Sequence, residues 1–385
     1  MRRLPALLSS LALSALVALP AVAQEATDLP ALERPADVLF WPQAAREAGF
    51  RAMDRIVPHS RVPAAASPRI LPKGQPLNLD VADYMEAEHT AAILVLQDGQ
   101  IRFEHYGLGF GPSQRWTSFS VAKSVSSTLV GAAIKDGYIE SLETPITRYL
   151  PELEGSAYDG VTVRHLITMS SGAAWNEDYS DPNSDIARFY QPHETGGMDP
   201  TLHYMRQLKR AHAPGTRWNY STGESNLVGV LLTRATGKPM AQYLSETIWQ
   251  PYGMATDASW MIDTAGQEQS GCCLVASPHD WARFGQFILD GGKIDGQSIL
   301  PDNWLKDATA KQAETGSPGE GYGFMWWTKD DGTYGAYGIF GQSISLDAER
   351  RSVVVILSAW PSAVGRSRQR EALLYKISAA LDSAN

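Results

Sequence analysis

Cysteine is nearly absent from this chain: 385 residues carry two, Cys272 and Cys273, and they are neighbours. Adjacent cysteines close no useful loop, so no disulfide framework staples the fold. They are expected as two small buried side chains. The eight histidines are scattered, and no Cys/His cluster has ligand spacing, so neither a metal site nor any other cofactor is expected. A Gly-x-Ser-x-Gly elbow is missing, as are a phosphate loop and a dinucleotide fingerprint. His105, His165 and His279 read as surface or packing positions, which weighs against a Ser-His-Asp arrangement. Basic charge is also in short supply: Lys and Arg number 33 against 42 Asp and Glu, a net charge of -9, with no basic cluster. That composition argues against nucleic acid or an anionic membrane as partner. Past the N-terminus no uninterrupted apolar run is long enough to cross a bilayer.

What is present begins with a processing signal. Met1-Arg2-Arg3 is a basic start, Leu4 to Leu19 a short apolar run, and Ala21-Val22-Ala23 a small-residue cleavage site. Residues 1–23 therefore read as a signal peptide, with a mature chain from Gln24 in the periplasm or secreted from a bacterium. No cysteine lies near the cleavage site for lipid attachment, so no stable membrane anchor is expected. Residues 24–80, rich in Pro and Ala, read as an N-terminal wrap that is partly irregular. Residues 81–385 read as the main domain, with a helical and loop-rich insertion over about 140–270. Oligomeric state is not legible. Eleven tryptophans and fifteen tyrosines are enough to build a core and also to wall a pocket for an apolar substrate.

Local patterns give the elements. Ala91 to Leu96 and Ile101 to Tyr106, joined by Asp98-Gly99, predict a β-hairpin. Val125 to Ile134 predicts a helix that stops at Asp136-Gly137. Val163 to Met169 predicts a helix capped by Thr162. Residues 170–220 are loop-rich. Helices are expected over Asn226–Thr236, stopped by Gly237, over Met240–Trp249, ended by Pro251, and over Pro278–Leu289, capped by Ser277. Gly323–Thr328, Ser343–Leu346 and Ser352–Leu357 look extended, and Arg366–Ala384 helical. Strands at both sequence ends with helices between imply an α+β fold, in which an antiparallel sheet is assembled from both termini and flanked by helices, with a mostly helical region inserted.

One short pattern carries chemistry. Ser120-Val121-Ala122-Lys123 lies where a loop enters the first long helix, and of all the lysines only Lys123 has a serine three residues before it. Positions three apart share a helix face, so the amine can reach the hydroxyl. A serine hydroxyl needs a base to become a nucleophile, and a lysine serves only where burial or neighbouring charge lowers its pKa. A Ser-Lys site also needs a third proton-handling group, for which Tyr220 in Tyr220-Ser221-Thr222 is the candidate.

These stretches resemble the penicillin-recognising serine hydrolases, the beta-lactamase/transpeptidase-like fold superfamily. The resemblance rests on Thr117 to Lys123, Val161 to Gly172, Pro214-Gly215 leading to Tyr220-Ser221, Ile248 to Met254, and Gly341-Gln342 before the terminal strands. Asn176 to Pro182, Gly338 to Gln342 and Leu357 to Pro361 are similar to 6-aminohexanoate-dimer hydrolases and class C-like esterases within it. The resemblance implies Ser120 as acylating nucleophile, Lys123 as its base and Tyr220 as proton shuttle to the leaving group, its phenol favoured as anion by the Lys123 charge. It implies an oxyanion hole from the Ser120 and Tyr337 amides. It also implies substrate contacts at Tyr179, Trp327 and Gln342. The expected substrate is a small ester or linear amide, with a class C-type beta-lactamase or D-Ala-D-Ala carboxypeptidase as the alternative. Two departures stand out. Thr222 holds the place of the asparagine in the usual Tyr-x-Asn. The strand near Tyr334-Gly335-Ala336 lacks the usual cation, which counts against beta-lactams because that cation holds the substrate carboxylate.

Overall fold

The computed structural model describes residues 35–384 except His193; the signal-peptide reading of residues 1–23 lies outside them. Eight strands form one antiparallel sheet in the order Gln100–Tyr106, Thr90–Gln97, Ser352–Ser358, Ser343–Asp347, Tyr334–Tyr337, Trp327–Lys329, Glu320–Tyr322 and Ala313–Glu314. The predicted hairpin is there, Gln97 facing Gln100 across its turn. The strand Ser352–Ser358 pairs with Thr90–Gln97, so strands from early and late in the sequence are neighbours, second and third in the sheet, as the sequence implied.

Period-two alternation sorts the central strands between two cores. Leu94, Leu96, Val353 and Val355 face the large core shared with the inserted helices. Ile93, Val95, Val354 and Ile356 face a smaller one, closed by Leu373, Ile377 and Leu381 of the terminal helix Ser367–Ser383. Both faces being covered, Thr90–Gln97 is buried along its whole length, which is why its sequence reads as a continuous apolar run.

The helix Ala122–Lys135 is buried through its first twelve residues and packs on the helix Thr222–Thr236. The latter starts four residues before its expected beginning. Ser221 caps it by accepting from Glu224 N, and Gly237 ends it at φ 67°. Thr162 forms the cap expected of it, with His165 reaching back, and Ser277 caps Pro278–Leu289. One expectation is corrected: within Gly323–Thr328 only Trp327 and Thr328 are extended, in the strand Trp327–Lys329, and residues 323–326 turn the chain back from Glu320–Tyr322. The 24–80 stretch contains a 3-10 helix Pro35–Phe40, helices Gln43–Arg51 and Met53–Ile56, and a strand His59–Val62. That strand opens a second sheet of four strands, pairing with Ala258–Met261, which no local pattern announced.

Candidate active site

Ser120 sits in a single 3-10 turn, Phe119–Val121, immediately before the buried helix. Phe119 holds φ +44°, a conformation that costs a residue with a Cβ of order 1–3 kcal/mol and persists where the surroundings impose it. Its ring is fixed against Phe50 and Phe340. Across from the turn, the strand Tyr334–Tyr337 runs out into Gly338. A Cβ there would lie 2.6 Å from Ser118 O and 3.1 Å from Ser120 N, so only glycine lets the strand end approach the Ser120 amide this closely.

Lys123 is 1% exposed. Its Nζ lies 2.9 Å from Ser120 Oγ, 3.1 Å from Thr222 Oγ1 and 2.6 Å from Gly271 O. Burial lowers its pKa to about 8, against the charge of Glu177, which raises it. The partners fix which way the nitrogen points. Thr222 gives its hydroxyl proton to a Glu177 oxygen, and an ionised carboxylate can only accept. The Thr222 oxygen is thereby left as an acceptor toward Lys123, and the Gly271 carbonyl is an acceptor by nature. A neutral amine has two N–H groups, which these two acceptors take. The remaining position, its lone pair, faces the Ser120 hydroxyl.

Glu177 is the residue the sequence reading missed. It also accepts from Thr222 N at 3.0 Å, from Tyr179 OH at 2.7 Å and from Trp175 Nε1. It stands two residues before Tyr179 within the stretch already singled out, and Thr222 stands at the motif position already seen to depart; the hydrogen bond linking them was not readable. For Glu177→Gln we expect kcat to fall by roughly 10- to 100-fold, the equivalent of losing a hydrogen bond to a charged group. Removing the negative charge that raises the lysine pKa also shifts the ascending limb of the pH–rate profile below pH 8, by about one unit. A pH–rate profile of the variant with the wild-type limb would show that Glu177 does not act on Lys123.

Tyr220 immediately precedes the Ser221 cap. Its phenol lies by the Ser120 side chain, which lowers its pKa, and Lys123 Nζ stands 5.1 Å from its ring centroid. Burial and then the Glu177 charge push its pKa well up. Burial thus favours the protonated phenol at Tyr220, opposing the help that the Lys123 charge would give its anion. Environments that drive two titratable groups apart in this way separate a base from an acid.

Of the other expected residues, Trp327 stacks on Tyr220 at 5.6 Å, and Tyr179 lines the cleft on both sides of Ser120. Tyr337 is at the strand end beside the turn. The Gly338 N–H is taken by Gln342 O at 2.8 Å, which leaves the Tyr337 and Ile339 amides on either side of it. Gln342 does not reach the cleft: it is fully buried, donates to Ser358 O at 2.7 Å and accepts from Ser358 N at 3.1 Å. Its amide ties the strand end to the sheet, a structural task in place of the expected substrate contact.

Two chambers meet at Ser120, Tyr179 and Ile339. One is narrow and apolar, with Val38, Leu39, Met53 and Met261 among its walls, so residues of the 24–80 stretch build part of the site. The other is wider and the more polar of the two, with Glu177, Glu320, Ser367 and Arg370 beside Tyr220 and Trp327. Arg370 comes from the terminal helix, is 5% exposed and lies 3.7 Å above the Tyr337 ring. The strand lacks a cation as read, but this guanidinium supplies one from a different element. Cys272 and Cys273 are bonded to each other and line the apolar chamber, which corrects their reading as two separate small side chains. Among the described residues no group of His, Cys, Asp and Glu could hold a metal ion, and no helix is long and apolar enough to cross a membrane.

A serine, a lysine on the next helical turn and a facing tyrosine, held between a sheet and a helical region, are the arrangement of a class of serine hydrolases. The Beta-lactamase family model matches residues 77–376, and the chain belongs to that family. It is 30% identical over 322 residues to a 6-aminohexanoate-dimer hydrolase of Paenarthrobacter ureafaciens, covering 79% of this chain and 82% of that one. It is 30% identical over 149 residues to esterase EstB of Burkholderia gladioli, 35% of this chain and 36% of the relative. A solved structure from Bacillus anthracis, provisionally named a 6-aminohexanoate-dimer hydrolase, superposes with a TM-score of 0.77 at 22% identity, covering 87% and 94% of the two chains. The octameric penicillin-binding protein homologue of Pyrococcus abyssi shares the fold at a TM-score of 0.59, with 19% identity and 77% and 76% covered. The protein is thus an enzyme of a serine hydrolase family with a beta-lactamase/transpeptidase-like fold.

Proposed function

We propose that this enzyme cleaves a carboxylic ester or a linear amide through an acyl-enzyme carried by Ser120. The observation that supports it is the buried Lys123 amine, held by Thr222 and Gly271 with Nζ 2.9 Å from Ser120 Oγ, so that the neutral amine has its lone pair left for the serine proton. In this reading Lys123 takes the Ser120 proton as Oγ attacks the carbonyl carbon. The developing oxyanion is held by the Ser120 amide and one from the Tyr337-Gly338-Ile339 turn, each such donor contributing about 3–4 kcal/mol. Tyr220 gives its proton to the leaving amine or alkoxide and is reprotonated by the lysine. Water then releases the acid by the same route in reverse. Tyr179 and Trp327 flank the scissile bond. An N-terminal signal directing export to the periplasm completes the reading.

The relative named for the 6-aminohexanoate dimer favours a linear amide, and EstB an ester. Arg370 in the polar chamber is the observation that keeps an anionic substrate, including a beta-lactam, as a second reading. Purified protein is expected to hydrolyse p-nitrophenyl esters far faster than nitrocefin, and a fluorophosphonate is expected to label Ser120 alone by peptide mass spectrometry. Label on another residue would refute the site; nitrocefin turnover well above ester turnover would replace our reading by the second.

A further inference from the structure

We propose that the Cys272–Cys273 disulfide is a working wall of the site, lining a subsite for an aliphatic chain of the substrate and fixing the carbonyl that Lys123 uses. The substrate part of this inference rests on the hydrolase reading above. Bonding between neighbours closes a small ring around the 272–273 peptide and removes backbone freedom there. The ring is anchored on every side: Trp260 Nε1 donates to Cys272 O at 3.1 Å, Cys273 N to Phe119 O at 3.4 Å, and Gly271 N to Asn226 Oδ1 at 2.8 Å. Cys273 is held at φ +67°. The residue immediately before the ring is Gly271, whose carbonyl accepts from Lys123 at 2.6 Å.

The pair lines the apolar chamber together with Val38, Leu39, Met261 and Ile339, and Tyr190 OH donates to Cys272 Sγ at 3.7 Å. A disulfide has no hydrogen-bond donor and is polarisable, so it suits methylene groups. Cys272 is only half-buried, within reach of a small dithiol. Reduction by dithiothreitol moves two electrons and two protons onto the pair, giving two thiols and one cyclic dithiothreitol disulfide. The two sulfurs then separate to van der Waals distance, the wall changes shape, and the Gly271 carbonyl is released from its constraint.

The test compares native and dithiothreitol-treated protein, with iodoacetamide labelling to count thiols, on p-nitrophenyl esters from acetate to decanoate. The oxidised enzyme is expected to take up no label and to gain about fourfold in kcat/KM per methylene until the chamber is full, the factor that burial of one CH₂ gives. The reduced enzyme is expected to lose that slope and to drop at least about tenfold in kcat even on acetate, as when one hydrogen bond to a charged group is lost. A Cys272→Ser/Cys273→Ser double variant should match the reduced enzyme and ignore the reductant. Calorimetric binding of octan-2-one needs no turnover and should weaken on reduction. Two free thiols in the native protein, or identical octanone binding and ester slopes in both redox forms, would overturn the proposal. Redox-dependent octanone binding in a protein that hydrolyses no ester would leave the subsite standing and sink the hydrolase reading instead.

Discussion

Ser120→Ala is expected to lower kcat on an activated ester by at least about 10⁴-fold, the scale on which loss of a nucleophile acts in serine hydrolases. Fluorophosphonate labelling should vanish with it. The fold should not change. Ser120 is 9% exposed at the mouth of the cleft, its turn is set by Phe119 and by the strand end at Gly338, and alanine at the start of a helix is well tolerated. Residual activity of wild-type size, with an unaltered melting temperature, would move the nucleophile elsewhere. The nearby Ser118 is not an alternative: it donates to Phe119 O at 3.1 Å and accepts from Leu274 N at 3.0 Å, joining the turn to the second sheet.

Lys123→Met should cost about 10²- to 10⁴-fold in kcat, the range of a positioned general base, and should also erase a limb of the pH profile. Only the neutral amine can take the serine proton. With the folded pKa at about 8, wild-type activity should climb through that pH, and the variant's residual activity should not. Stability should respond with the same preference for the neutral amine. The unfolded chain binds the lysine proton with an ordinary pKa near 10.5, the folded chain only below about 8. Between those values the unfolded state holds more protons, so wild-type stability rises with pH there and the penalty for charging the buried amine is fully present below pH 8. That penalty is on the order of 3 kcal/mol. Methionine of similar length removes it, so at pH 7 the variant should melt no lower than the wild type. Denaturant unfolding at pH 7 and pH 10 checks the sign: a variant less stable than wild type at pH 7, or wild-type stability falling from pH 8 to 10, would show that the amine is not desolvated.

In the proposed mechanism burial sets the acid and the base apart, and one carboxylate orients the groups around them. Glu177 points the Thr222 proton away from Lys123, and its charge adds to burial in keeping the Tyr220 proton in place. A threonine where the motif more often has asparagine is therefore not a defect. Its hydroxyl accepts from the lysine while donating to the glutamate, a double task that turns the lone pair toward the nucleophile.

The sequence by itself determined the elements whose signals are local. Spacing of three placed Lys123 on the face of Ser120; Asp98-Gly99, Thr162, Ser277 and Gly237 punctuated the hairpin and helices by their own backbone chemistry; and the stretches 91–96 and 352–357 read as strands. Only the tertiary structure decided what depends on residues far apart in the chain. It brought Glu177 to Thr222 and Gly271 to Lys123, supplied Arg370 from the last helix, turned Gln342 inward, and made chamber walls of Val38 and Met53 from a stretch that looked irregular. It bonded Cys272 to Cys273 beside the nucleophile. The physical reason is range: turn, cap and period are fixed within a few residues, whereas the pKa of a buried amine and the shape of a cavity are set by whichever side chains the packed core delivers.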